Sequence, residues 1–540
     1  MQGDFDFIIV GAGAAGCALA YKMTESGRHR VLLLEAGGSD RRFYIHMPLG
    51  YGKTFYDASL NWMYSAEPDP GINGQVDFWP RGKVVGGSSS INAMVYVRGD
   101  ASDFEDWKDA GNTGWGWSDV LPAYRAMEDN EAGADPYRGT GGPLFISAND
   151  KHRHWTCKPF EEACVAAGLP RNADFNGAAQ EGVGHFQLTT KGGMRNSAAR
   201  AFLRPALKRP NLTLVTKAQA TRILFEGKRA VGIEYVQGGV RKTARAAREV
   251  ILSGGAVNTP QLLQLSGIGD GGHLKSLGID VLVDNKNVGR NMSDHQGINY
   301  TYKLNVPTLN DLLRPWWGKA LVGLQYILTR GGPLSISINQ GGGFFKTHAK
   351  HTRPNMQLYY QAFSTIIPKA NERPILTPDP FSGMSLGLSN CRPTSRGEIM
   401  IKSADALVAP KITANIFSTD HDVQEMLEAV KFLRKIAAQE PLKSMIVEEL
   451  RPGPAVTTDA QIIDDFRQRS GTVFHPSCTA RMAPDAKRGV IDSRLRVHGV
   501  DGLRVIDASG FASILSGNLN AASMMMGWRG AEFVLADTNI

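Results

Sequence analysis

The chain has 540 residues, 42% of them hydrophobic and 21% charged, a globular composition with room for two or more domains. Sixty Lys and Arg against 52 Asp and Glu leave a net charge of +8, but the basic residues are scattered. With no long basic block and no nucleic-acid module, that excess reads as surface charge and excludes nucleic acid as the partner.

The opening segment is an apolar strand, Ile8-Ile9-Val10, followed by Gly11-Ala12-Gly13-Ala14-Ala15-Gly16. A second apolar strand, Val31-Leu32-Leu33-Leu34, ends in Glu35, nineteen residues past Gly16. This strand, glycine turn, helix, strand and acid form a dinucleotide fingerprint. Gly11 permits the turn, Gly13 lets backbone approach a pyrophosphate, and Gly16 lets the helix pack on the strand. The helix N-terminus offers free N–H groups to the anion, and Glu35 suits an adenosine ribose.

Gly82-Lys83-Val84-Val85-Gly86-Gly87-Ser88-Ser89-Ser90-Ile91-Asn92 follows. Small residues in series can turn backbone N–H groups toward a ligand. Residues 211–257 alternate in strand fashion and predict a meander that feeds back into the first sheet. Gly255 to Gly269 predicts a strand end, a turn at Thr259-Pro260 and a short helix to Gly267. Asn287 to His295 reads as a polar loop after a strand. Residues 301–465 mix strands such as Asn355–Tyr360 with a helix from Asp422 to Glu440.

Near the end, Thr472-Val473-Phe474-His475-Pro476 sets a histidine before a proline, where helix is disfavoured. Ser516-Gly517-Asn518-Leu519-Asn520 then leads into a last helix. On spacing alone His475 reads rather as a buried, hydrogen-bonded imidazole, and Asn520 as a helix cap. The strand Leu503–Asp507 lies between them.

Cys17, Cys157, Cys164, Cys391 and Cys478 show no CxxC spacing and no histidine cluster. Neither a metal site nor a disulfide framework is expected. The fingerprint strand opens at residue 5, which leaves no room for a signal peptide, and no apolar run approaches about 18 residues. A cytoplasmic protein without a transmembrane segment is the expectation.

In order and spacing, the segments at 8–35, 82–92, 255–269, 287–295 and 472–523 resemble the glucose–methanol–choline (GMC) family of FAD-dependent oxidoreductases. The resemblance covers almost the whole chain. Ile45-His46-Met47-Pro48 and Asp174-Phe175-Asn176-Gly177 look like its bacterial alcohol and sorbose dehydrogenase branch. It implies an α/β and α+β fold: a discontinuous Rossmann-like FAD-binding domain (1–150, 190–300 and 470–540) beside a substrate domain (151–189 and 301–469). The substrate domain would be an antiparallel sheet flanked by helices.

The resemblance also implies residue roles. Gly11, Gly13, Ala14, Ala15 and Gly16 would hold the FAD pyrophosphate, and Glu35 and Ala36 the adenosine ribose. Arg81, Val85, Gly87, Ser88 and Asn92, Ala93, Met94 and Val95 would lie along the ribityl chain and flavin ring. Ala220 would meet the adenine, and Asp507, Ala508 and Asn518 would return to the flavin. His475 matches the catalytic histidine and Asn520 its partner. Ile91 stands where some members attach FAD through a histidine, which implies noncovalent FAD. Gln340 stands where choline-oxidising members carry a glutamate, which implies a neutral substrate.

The implied reaction is oxidation of a primary alcohol or polyol to the aldehyde or ketone. Hydride would go to flavin N5 with His475 as base, and electrons on to oxygen or a quinone- or dye-like acceptor. An oxygen-using alcohol oxidase of the same family and a redox-neutral FAD-containing lyase stay open. A nicotinamide-dependent dehydrogenase would share the fingerprint but would not need the 82–92 and 255–269 segments.

Overall fold

A computed structural model of the chain describes residues 5–148, 151–365 and 377–538. Two sheets organise it. The first holds five parallel strands, in the order Leu212–Val215, Val31–Leu34, Phe5–Val10, Val240–Leu252 and Leu503–Val505. Buried Val, Ile and Leu fill these strands, as expected of a parallel sheet covered on both faces. Helix Ala14–Met23 and the C-terminal helix Asn520–Thr538 pack together against it.

The long strand Val240–Leu252 belongs to two ladders. Its last residues pair in the parallel sheet, while its first half pairs antiparallel with Arg229–Gln237, which pairs with Ala218–Glu226. The alternating segments read from sequence are this meander.

The second sheet is antiparallel throughout. Its order is Ile446–Arg451, Gln296–Leu304, Gly383–Asn390, Met356–Gln361, Gly341–Phe345 and Gly182–His185, with Gly471–Thr472 on the start of Gln296–Leu304. Helix Asp420–Ala437 covers one face. The boundary expected between residues 300 and 301 therefore falls inside a strand. Ile298, Tyr300, Tyr302 and Leu304 continue one buried alternation across it.

A second correction concerns Pro260. The helix starts at Gly255, not after the proline, and runs to Leu265 with Pro260 inside it. A proline there removes the N–H that would bond the carbonyl four residues back. That carbonyl, on Ala256, instead accepts the Thr479 hydroxyl at 2.7 Å. All five cysteines are buried and unpaired. Among the described residues no helix is long and apolar enough to cross a membrane, and no His/Cys/Asp/Glu group could hold a metal.

Candidate active site

A cavity of about 580 Å³ runs between the two sheets. One end is built by the first strand, its turn and its helix. Gly11, Gly13, Ala14, Ala15, Glu35 and Ala36 line it. Gly11 has φ +107°, and a Cβ there would sit 2.3 Å from the Ser253 carbonyl oxygen. Gly13 is different. A Cβ on it would have no protein atom nearer than 4.0 Å, so its bare backbone borders open cavity. Gly13 is also the N-cap of helix Ala14–Met23, and no side chain caps that end. The first-turn N–H groups are left for a ligand.

Glu35 accepts the Ala12 N–H at 2.9 Å and the Gly37 N–H at 2.8 Å. Burial pushes its carboxyl up to about 7 against those two bonds. The Gly87–Ser90 turn closes the next stretch. Gly87 lies so near that an added Cβ would come within 2.7 Å of Gly13 Cα. Ser88, Ile91, Asn92, Ala93, Met94 and Val95 continue the wall, with Arg81 beside them. Ala220, Asp507, Ala508, Asn518 and Asn520 complete it from later segments.

Two expected residues do not reach the cavity. Gly16 packs on the first strand, where a Cβ would stand 1.9 Å from the Gly11 carbonyl oxygen. Its role is helix–strand contact. Val85 lies in the apolar core beneath the turn. Gln340 is a third correction. It is 1% exposed, and its Oε1 accepts the His154 N–H at 2.6 Å, away from the cavity. The wall on that side is an amide pair instead, with Gln361 donating to Asn339 Oδ1 at 2.7 Å.

The far end of the cavity holds His475. The loop that carries it is tightly specified. Phe474 has φ +71°, an uncommon conformation for a non-glycine residue. Three bonds hold it: Phe474 N–H to Thr472 Oγ1 at 2.7 Å, Arg81 to the Phe474 carbonyl at 2.8 Å, and His475 N–H to Asp294 Oδ1 at 2.8 Å. Burial pushes Asp294 up to about 7, and its other oxygen accepts the Thr472 hydroxyl.

The ring protons follow from the partners. His295 Nε2 lies 3.0 Å from the Cys391 carbonyl, which can only accept. That nitrogen of neutral His295 therefore carries the proton and Nδ1 carries a lone pair. His295 Nδ1 lies 3.0 Å from His475 Nδ1, so His475 donates there and keeps Nε2 unprotonated. The opposite side agrees. Gln357 donates to Asn518 Oδ1 at 3.1 Å, which turns the Asn518 amide nitrogen toward His475 Nε2 at 3.1 Å. Burial, with His295 and Arg81 adding to it, holds the His475 imidazole well below its ordinary value of 6.5. Burial likewise lowers His295 to about 4.

Comparison with known proteins decides the family. Residues 5–297 match the N-terminal GMC oxidoreductase family model, and residues 393–527 match the C-terminal one. The chain belongs to the GMC oxidoreductase family. This GMC oxidoreductase is 40% identical over 535 residues to the alcohol dehydrogenase [acceptor] of Pseudomonas putida, covering 98% of this chain and 96% of that one. It is also 40% identical to the mitochondrial choline dehydrogenase of Homo sapiens, over 98% of this chain and 90% of that one. Its fold matches the crystal structure of pyridoxine 4-oxidase from Mesorbium loti with TM-score 0.88, at 29% identity over 98% and 99% of the two chains. Formate oxidase matches with TM-score 0.91, at 26% identity over 100% and 99%.

The chain is thus an FAD-dependent enzyme, and the cavity fits that group. The uncapped helix end, the bare Gly13 and the close Gly87 turn suit a pyrophosphate and a flat ring system. Sequence reasoning passed over His295 and Asp294, which it read only as part of a polar loop. Asn518, expected with the cofactor, lines the cavity, and its amide also touches the histidine, a contact the sequence did not suggest.

Proposed function

We propose that this GMC oxidoreductase oxidises a neutral, largely apolar primary alcohol, with His475 Nε2 as the proton acceptor. The observation that carries this is the tautomer of His475, whose unprotonated Nε2 accepts from the Asn518 amide in the cavity wall, a bond that the alcohol hydroxyl would replace. FAD, when bound, supplies the acceptor for the two electrons and the carbon-bound hydrogen.

This chain's residues would do the following. Gly13, Ala14 and Ala15 hold the pyrophosphate with backbone N–H groups, and Glu35 holds the ribose hydroxyls. Gly87, Ser88 and Asn92 to Val95 seat the ribityl chain and ring. His475 Nε2 takes the hydroxyl proton of the alcohol as its carbon is oxidised. The Nδ1–H bond to His295 then carries part of the imidazolium charge. Asn520, first residue of the last helix, donates from its amide to the developing alkoxide.

The substrate end favours a neutral molecule. Tyr51, Phe55, Trp62, Tyr359 and Phe474 line the cavity with apolar rings. Among the described lining residues the acids are Glu35 and Asp507. Asp507 is already bonded to Gly255 N–H, Thr259 Oγ1 and Ser509. Arg81 adds positive charge, while Arg469 is paired with Asp465. The choline dehydrogenases among the relatives make a quaternary ammonium the second reading, and the rings would serve it by cation–π contact.

Noncovalent FAD has its own support. Ile91 lines the cavity, and among the described lining residues His475 is the sole histidine and no cysteine is present. Anaerobic mixing with a panel of alcohols tests the function. Flavin bleaching by simple alcohols supports it, and bleaching by none of them would turn the reading to the lyase.

A further inference from the structure

The most conspicuous feature outside the cavity is helix Trp316–Thr329. Its inner face, Gly318, Val322 and Tyr326, is buried on the protein. Its outer face carries Trp316, Trp317, Leu321, Leu324, Ile327 and Leu328, every one more than half exposed. Trp316 reaches 81% and Leu328 73%. At 100° per residue these six occupy one continuous arc of roughly 140°. The helix is amphipathic in the reverse sense, with apolar residues turned outward.

The patch is large. At roughly 100–200 Å² for each such side chain it comes to on the order of 700 Å², beyond what monomers ordinarily leave open. Phe43, 53% exposed, extends it by packing edge-on against Tyr326 at 6.3 Å. Tyr44 is exposed next to it. Fourteen residues make only about 21 Å of helix, too short to span a bilayer.

Charge identifies the occupant. The helix contains Lys319 and no acidic residue, and Arg314 and Arg330 flank its ends. Lys53 sits over the Tyr44 ring at 4.4 Å. Asp311, the nearest acid along the chain, is engaged by Thr308 and Ser382. A two-fold pairing of this face with a second copy would set basic rims together. An anionic lipid surface complements the same rim, and paired tryptophans at one end suit the headgroup layer.

We infer that helix Trp316–Thr329 lies in the plane of an anionic lipid bilayer surface, with Trp316, Trp317, Leu321, Leu324, Ile327 and Leu328 inserted and Lys319, Arg314 and Arg330 on the headgroups. The inference goes beyond the proposed chemistry and does not depend on it.

The test uses the full-length FAD-loaded protein and vesicles of phosphatidylcholine with or without phosphatidylglycerol. The wild type sediments with the anionic vesicles. The variant Trp316→Gln/Trp317→Gln/Leu321→Gln/Leu328→Gln loses partitioning by about tenfold or more. The variant Lys319→Glu/Arg330→Glu, with the apolar face intact, loses about fivefold or more on anionic vesicles. Both keep the wild-type FAD content and unfolding temperature, because the altered side chains are exposed. Wild-type protein left in the supernatant with both vesicle types overturns the inference. So does a dimer in sedimentation velocity without lipid that the glutamine variant dissociates, since the face would then belong to a second copy.

Discussion

His295 Nδ1 and His475 Nδ1 lie 3.0 Å apart, with their rings nearly perpendicular at 83°. Two imidazoles can share one such contact only if one donates and the other accepts. The Cys391 carbonyl on His295 Nε2 fixes which is which. A backbone carbonyl thereby determines, through one ring, where the proton of the next ring sits.

Removing the acceptor should expose this dependence. His295→Leu leaves the His475 Nδ1–H unpartnered and releases the tautomer. We expect a fall of roughly 10- to 100-fold in the anaerobic flavin-reduction rate, with FAD retained. His295→Gln should recover part of it, since the amide oxygen can accept the same proton. Equal losses in both variants would show that the site needs only bulk at position 295.

The pH dependence follows from the lowered His475 value. A base whose pKa is depressed stays unprotonated as pH falls, so its activity persists below its ordinary titration range. The acid limb of kcat/KM should therefore lie below pH 6.5, with a level profile from there to neutrality. A limb centred at or above about 6.5, the unperturbed histidine value, would contradict the buried, neutral imidazole.

Much of this site was legible in the sequence because its signals are local. The glycine fingerprint, the acid after the second strand and the 82–92 turn each declare their geometry within a few residues. His295 declares nothing locally, because its partner lies 180 residues away and is reached only through the second sheet. Gln340 was misplaced because the glycines that follow it carry no alternation from which to read a face. Pro260 looked like a helix start because the hydroxyl that frees its position, on Thr479, belongs to a distant loop. The outward face of the Trp316–Thr329 helix could not be read from sequence, since periodicity gives the apolar face but not the direction in which it points.

FAD should leave on acid precipitation. With Ile91 in the wall and no cysteine among the described lining residues, the yellow colour should stay in the supernatant. Flavin held in the washed pellet would mean a covalent bond.

Choline and its neutral isostere 3,3-dimethyl-1-butanol separate the two substrate readings. A dehydrated cation needs a carboxylate or a full aromatic cage to replace its lost hydration. Among the described lining residues the acids are Glu35 and Asp507, both already hydrogen-bonded by backbone N–H groups. The isostere should show the higher kcat/KM, by about tenfold or more. A clear preference for choline would move the function to the quaternary-amine branch.

The central claim is that His475 Nε2 removes the hydroxyl proton, and single-turnover flavin bleaching tests it most directly. Under anaerobic conditions with a saturating primary alcohol, His475→Ala should bleach roughly 10²–10⁴-fold more slowly than wild type while holding FAD. Asn520→Ala should slow bleaching as well, through the lost hydrogen bond to the alkoxide. Bleaching by His475→Ala at the wild-type rate, with FAD bound and the alcohol saturating, would contradict the account.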